Sequence, residues 1–151
     1  MKLQSSPLTR NLASVALTCA MALPTLAHAQ MASSPTLYEQ LGGKPAITMV
    51  VHDMLANVVA DNRINHDFAR TNIPHLQMEL VSQICEATGG PCKYTGLNMQ
   101  QAHKGMNLKT ADFNALVEDL QKSMNSNSVP LGLQNQLLAI LAPMEPDVVH
   151  K

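Results

Sequence analysis

The chain has 151 residues, 46% hydrophobic but only 3% aromatic, with no tryptophan and a formal net charge of -1. So small a charge gives no electrostatic case for nucleic acid or an anionic membrane surface as partner. The core must be aliphatic, built from Leu, Ile, Val, Ala and ten Met, a mix that favours helices over the β-branched and aromatic composition of sheets.

Residues 1–29 read as a secretory signal. Lys2 and Arg10 make the start basic, Leu12 to Leu23 is an apolar run, and Ala27-His28-Ala29 is a small-x-small cleavage pattern. The run is too short to span a bilayer. A lipoprotein anchor at Cys19 is disfavoured by Thr18 before it and by the better site downstream. The expectation is cleavage after Ala29, a periplasmic or secreted product, and no stable membrane insertion once the signal is gone. Residues 30–35 then form a flexible tail and 36–149 a single domain.

Within that domain, Leu37 to Leu41 predicts a brief helix stopped by Gly42-Gly43. Pro45 suits a helix start, and Ile47, Val50, Val51, Met54, Leu55, Val58 and Val59 recur at amphipathic helical spacing. Asp61 and Asn62 end that helix. Asn72 is placed to cap the next one, which carries an apolar stripe of Ile73, Leu76, Leu80 and Ile84 and stops at Gly89-Gly90-Pro91. A short helix follows around Met99 to Lys104. Thr110 is read as the cap of a further helix, whose Phe113, Leu116, Val117, Leu120 and Met124 share a face. A last helix, bearing Leu133, Leu137, Leu138 and Leu141, is expected to end at Pro143. No segment alternates as a strand would, so the fold class is all-α.

Removing the signal leaves two cysteines, Cys85 and Cys92, close in sequence. In an oxidising compartment they are a candidate disulfide; the alternative is two unbridged small residues at a helix end. The domain proper holds His52, His66, His75 and His103, and an isolated histidine is more often a surface side chain than a ligand. No Cys-x-x-Cys-His run is present, so the covalent cofactor attachment which that motif provides is not indicated.

The order of several short motifs changes that reading. Leu37-Tyr38-Glu39-Gln40-Leu41-Gly42-Gly43 resembles the opening segment of truncated globins. Gly89-Gly90-Pro91 followed by Tyr94-Thr95-Gly96 resembles their loop before the proximal helix. Met99-Gln100-Gln101-Ala102-His103, with Phe113 beyond it, resembles their proximal-histidine segment, and Phe68 matches their haem-packing corner phenylalanine. Together these cover nearly all of residues 36–149 and are most similar to the group 1, N-type truncated haemoglobins. The resemblance implies a two-over-two helical sandwich around a non-covalent haem b, with His103 as the proximal iron ligand. Leu55, Phe68, Leu76, Leu80, Ile84, Tyr94, Met99, Leu108, Phe113 and Leu116 would then line an apolar slot.

The distal side departs from the family. Its usual tyrosine aligns with Leu55 and its usual glutamine with Leu80, while Leu76 takes the ligand-facing place at the helix start. Without a donor, oxygen would be released roughly ten- to hundredfold more readily. His75 is a secondary candidate for the sixth iron position if its helix starts differently. Met54 and Met78 are further candidates that fit core filling better. His52 is expected to point away from the iron or toward a propionate, and His66 to be exposed. The implied function is reversible binding of oxygen or nitric oxide, with carbon monoxide as another small ligand. The alternative is a periplasmic redox protein, either turning over nitric oxide or peroxide, with a reductase as partner, or carrying electrons with an internal sixth ligand. Binding is favoured over catalysis because no distal acid–base group is apparent.

Overall fold

The computed structural model describes residues 34–151; the expected signal peptide, Cys19 and most of the 30–35 tail lie outside the described residues. Helix α1 (Leu37–Gln40) is only one turn long and is held by its cap. The Thr36 hydroxyl accepts from the Glu39 amide, and the Glu39 carboxylate accepts in return from the Thr36 amide, satisfying donors a short helix leaves open. Gly42 and Gly43, at φ of 93° and 71°, then turn the chain into α2, a conformation that suits residues without a Cβ.

Helix α2 (Gly43–Ala60) is the central element. Ile47, Val50, Val51, Met54, Leu55 and Val58 are all buried along it, as their spacing predicts, and they pack against both α3 (Ile73–Ala87) and α5 (Thr110–Ser126). Between α2 and α3 the chain makes a 3-10 turn, Asn65–Phe68, which lays Phe68 against the core. Asn72 caps α3 by accepting from the His75 amide at 3.1 Å. Val81, Ile84 and Cys85 form its buried face.

Cys85 and Cys92 are bonded to each other, with their Cα atoms 5.7 Å apart. The bond folds the loop after α3 back beside that helix. Gly90 is wedged in the fold: a Cβ there would lie 2.6 Å from the Tyr38 ring and 2.7 Å from both the Cys85 carbonyl oxygen and Sγ. Tyr38 in turn donates its amide to the Thr88 carbonyl at 2.9 Å, tying α1 to the end of α3.

Two boundaries differ from the sequence reading, and a short helix follows the one read as last. The short helix α4 is Met99–Ala102, with His103 as its C-cap rather than lying inside it. Lys109, not Thr110, precedes the first turn of α5, because the Asp112 carboxylate accepts from the Lys109 amide at 2.9 Å and caps the helix one residue earlier. The helix bearing Leu133 to Leu141 stops just before Pro143, as expected, but it is not the last. Helix α6 (Leu131–Leu141) passes into a 3-10 turn, Ala142–Met144, where proline is tolerated at the start, and then into α7 (Glu145–Val148). Among the described residues there is no strand, and no helix is long and apolar enough to cross a membrane.

Candidate functional site

Helix α3 presents two adjacent stripes. Val81, Ile84 and Cys85 are buried against the core, whereas Leu76, Leu80 and Gln83 are only half-buried. The latter three recur at helical spacing and share a face. Gln83 shows where that face looks: its Nε2 lies 3.9 Å from Met99 Sδ on α4 and 3.5 Å from Met144 Sδ. Leu76 and Leu80 therefore line the same side of α3 that meets α4, closer to the helix start. Phe68, Leu76, Leu80 and Leu116 pack on the core from its edge without being enclosed by it. Leu108 and Phe113, around the start of α5, are likewise half-buried.

His103 is half-buried at the end of α4, and its Nδ1 lies 2.8 Å from the Met99 carbonyl oxygen. A carbonyl can only accept, so this nitrogen carries the proton, and the neutral ring's lone pair sits on Nε2. Nε2 has no hydrogen-bond partner among the described residues. An imidazole fixed in this tautomer suits a macrocycle that needs one nitrogen donor. A site for a bare ion would look different, and no cluster of three or more His, Cys, Asp or Glu suited to a metal occurs among the described residues.

The other residues singled out from sequence fall in different places. Leu55 is buried in α2, 2% exposed, and Ile84 is buried at 4%. Tyr94 donates its hydroxyl to the Leu97 carbonyl at 2.7 Å, and burial together with the nearby Glu79 charge raises its pKa. Gly96 lies so close that a Cβ would strike both Glu79 and the Tyr94 ring. The His75 side chain is 64% exposed, its Nε2 3.9 Å from the Glu79 carboxylate one turn along. His52 points to solvent and pairs with Asp53 at 3.1 Å, while His66 is exposed beside Asp67. Met54 is core, and Met78 is 64% exposed. A recess between α2 and the turn before α6, lined by Gln40, Met49, Asn127 and Leu133, involves none of these residues.

Sequence reasoning passed over Gln83, although it continues the Leu76–Leu80 spacing. It also missed Asp147, whose Oδ1 accepts from Gln100 Nε2 at 2.6 Å. Two residues so far apart along the chain leave no local pattern to find.

With this geometry in hand, comparison with known proteins is specific. The family model for bacterial-like globins matches residues 36–150. A group 1 truncated haemoglobin from Tetrahymena thermophila is 36% identical over 108 residues, covering 72% of this chain and 86% of that protein. The crystal structure of the truncated haemoglobin from Tetrahymena pyriformis superposes with a TM-score of 0.75 at 32% identity, covering 78% of this chain and all of that one. A 2/2 haemoglobin from Synechococcus, solved with covalently attached haem, gives 0.72 at 26% identity over 76% of this chain and 98% of its own.

Proposed function

The chain belongs to the bacterial-like globin family, as a group 1 truncated haemoglobin with the two-over-two helical fold, and on that premise we propose that His103 is the proximal ligand of its haem and that the protein reversibly binds oxygen or nitric oxide. Haem b is the cofactor of the family. When bound, it would supply an iron, held by His103, that can take a diatomic gas.

One observation carries the assignment of His103: the hydrogen bond from its Nδ1 to the Met99 carbonyl at 2.8 Å. That bond holds the tautomer, limits rotation of the ring and makes Nε2 the better donor. On the other side, Leu76 and Leu80 on α3 bring only hydrocarbon. They exclude water and shape the space, but offer no donor to a gas ligand and no acid or base for turnover. Reversible binding with fast oxygen release is therefore the reading supported over nitric oxide or peroxide turnover, which would require a reductase as well. Carbon monoxide, which leans less on a distal donor, is the expected third ligand. The position of His75, mostly in solvent beside Glu79, supports an iron without an internal sixth ligand. The proposed setting is the periplasm or the cell exterior. The disulfide between Cys85 and Cys92 supports it, since such bonds persist in oxidising compartments.

The test is the absorption spectrum of the ferrous protein without added ligand, in the parent and in His103→Ala. The expected parent spectrum is one broad visible band below a strong Soret band, and the variant should lose haem on gel filtration and regain the spectrum with free imidazole. A variant that keeps both haem and spectrum would remove His103 from this role.

A further inference from the structure

We propose that the segment from Met144 to Lys151 is a clasp that holds the His103 helix and so sets the orientation of the His103 ring. What the ring does rests on the haem reading above, whereas the clasp rests on contacts within the protein.

Helix α4 is a single turn, far below the length at which a helix stands unaided. Its own hydrogen bonds are those of one turn: Ala102 and His103 donate their amides to the Asn98 and Met99 carbonyls at 2.9 and 3.1 Å, Asn98 and Gln101 close a capping box, and Met106 donates to the His103 carbonyl at 3.1 Å. Further support comes from the far end of the sequence, on both sides of His103. Before it, Gln100 Nε2 donates to Asp147 Oδ1 at 2.6 Å, and the Gln83 amide bridges the sulfurs of Met99 and Met144. After it, two backbone bonds join the chains: the His150 amide donates to the Leu108 carbonyl at 2.8 Å, and the Asn107 amide donates to the Lys151 carbonyl at 3.0 Å.

This backbone pairing has a local signature. Asn107 and His150 lie in the left-handed region, at φ of 51° and 56°. Asparagine and histidine are both among the side chains that adopt this region more often than most, and both do so where the two segments pair. Val148, buried at 7% exposed, anchors the clasp, and α7 packs on both α4 and α5. The consequence falls on one atom. The Met99 carbonyl that accepts from His103 Nδ1 belongs to the turn being clasped, so loosening the clasp frees the ring as well. Asp147 and His150 are thus positioning residues.

Two pairs of variants test this in the full chain. Asp147→Ala removes an acceptor that Asp147→Asn keeps. His150→Pro removes the amide donor and cannot adopt positive φ, whereas His150→Gly keeps the donor and accepts that φ. Amide exchange in residues 99–108 of the haem-free protein should quicken about threefold in Asp147→Ala and about tenfold in His150→Pro, the range for loss of one net hydrogen bond. In the ferrous haem-loaded protein, the same two variants should shift the iron–histidine stretching band and lose haem faster by similar factors. Asp147→Asn and His150→Gly should track the parent in every readout. Unchanged exchange in both disrupting variants would overturn the clasp. Faster exchange with an unmoved iron–histidine band would overturn its effect on the ring. A parent that takes up no haem would instead defeat the haem reading, and exchange in the haem-free protein would still decide whether the clasp exists.

Discussion

Cleaving the bond between Cys85 and Cys92 loosens the unfolded chain more than the folded one. The bonded residues have a sequence separation of 7. For so small a ring the chain-entropy relation gives about 2.5 kcal/mol at 25 °C, a sizeable part of the roughly 5–15 kcal/mol that holds an ordinary domain together. The folded loop keeps other ties when the bond is gone. Lys93 pairs with Glu86 at 2.9 Å, Glu86 accepts from the Tyr94 amide at 3.0 Å, and the Ser82 hydroxyl donates to the Lys93 carbonyl at 3.2 Å. Reduction should therefore lower stability without releasing the loop or altering the His103 side. The assay is urea unfolding of the oxidised and reduced protein and of Cys85→Ala/Cys92→Ala. Alanine is used because Cys85 is fully buried and a serine hydroxyl there would be left without a partner. The midpoint should fall by about 1–2 M urea, given the slopes usual for a domain of this size, with the ferrous spectrum unchanged. Equal midpoints would refute the entropic reasoning. A changed spectrum would refute the claim that the remaining ties hold the loop.

Other expectations follow from single residues. Asp119 is buried, its Oδ2 has no hydrogen-bond partner, and burial, followed by repulsion from Asp61, raises its pKa. Its charge therefore opposes folding at neutral pH, and that penalty fades as pH falls from the raised folded value toward the ordinary aspartate range. Asp119→Asn should accordingly unfold at a higher temperature than the parent at pH 7, with the gap closing near pH 4; a gap independent of pH would contradict this. Gly90→Ala should destabilise the fold by about 1–3 kcal/mol, read by urea unfolding, because one of the atoms its Cβ meets is the Cys85 backbone oxygen, which cannot swing aside. Leu80→Gln should slow oxygen dissociation at least roughly tenfold in stopped flow by supplying a donor; an unchanged rate would place Leu80 away from the ligand.

Much of the fold was legible because local rules act on neighbouring residues. The apolar spacing of α2, the Asn72 cap and the glycine stop after α3 each depend on a few adjacent side chains, and each stands in the structure. The errors arose where a distant or competing partner decided the outcome. Asp112 capped α5 from within and displaced Thr110. Helix α6 stops just before Pro143 as its sequence indicates, whereas the short helix beyond it, packed on α4 and α5, was not foreseen. Around the proposed site, the place of His103 at the short helix and of Leu76 and Leu80 on α3 could be read from sequence order. The tautomer of His103 could not, since it depends on how closely the Met99 carbonyl approaches a ring nitrogen.

The two sides of the site are built with different stiffness, and this divides what mutations should do. Helix α3 is long, backed by α2 through Val81 and Ile84 and bonded at its end through Cys85. Substitutions at Leu76 or Leu80 should change the polarity next to the gas while leaving the backbone in place. Helix α4 is one turn, held by Gln83, Gln100 and the backbone pairing at Asn107 and Leu108, so it yields before α3 does. Gas dissociation should therefore respond mainly to the α3 face, and haem retention mainly to the clasp. The two rates, measured on one panel spanning Leu80→Gln and His150→Pro, should vary independently. If every variant moved both rates in proportion, the site would be behaving as a single unit and this division would be wrong.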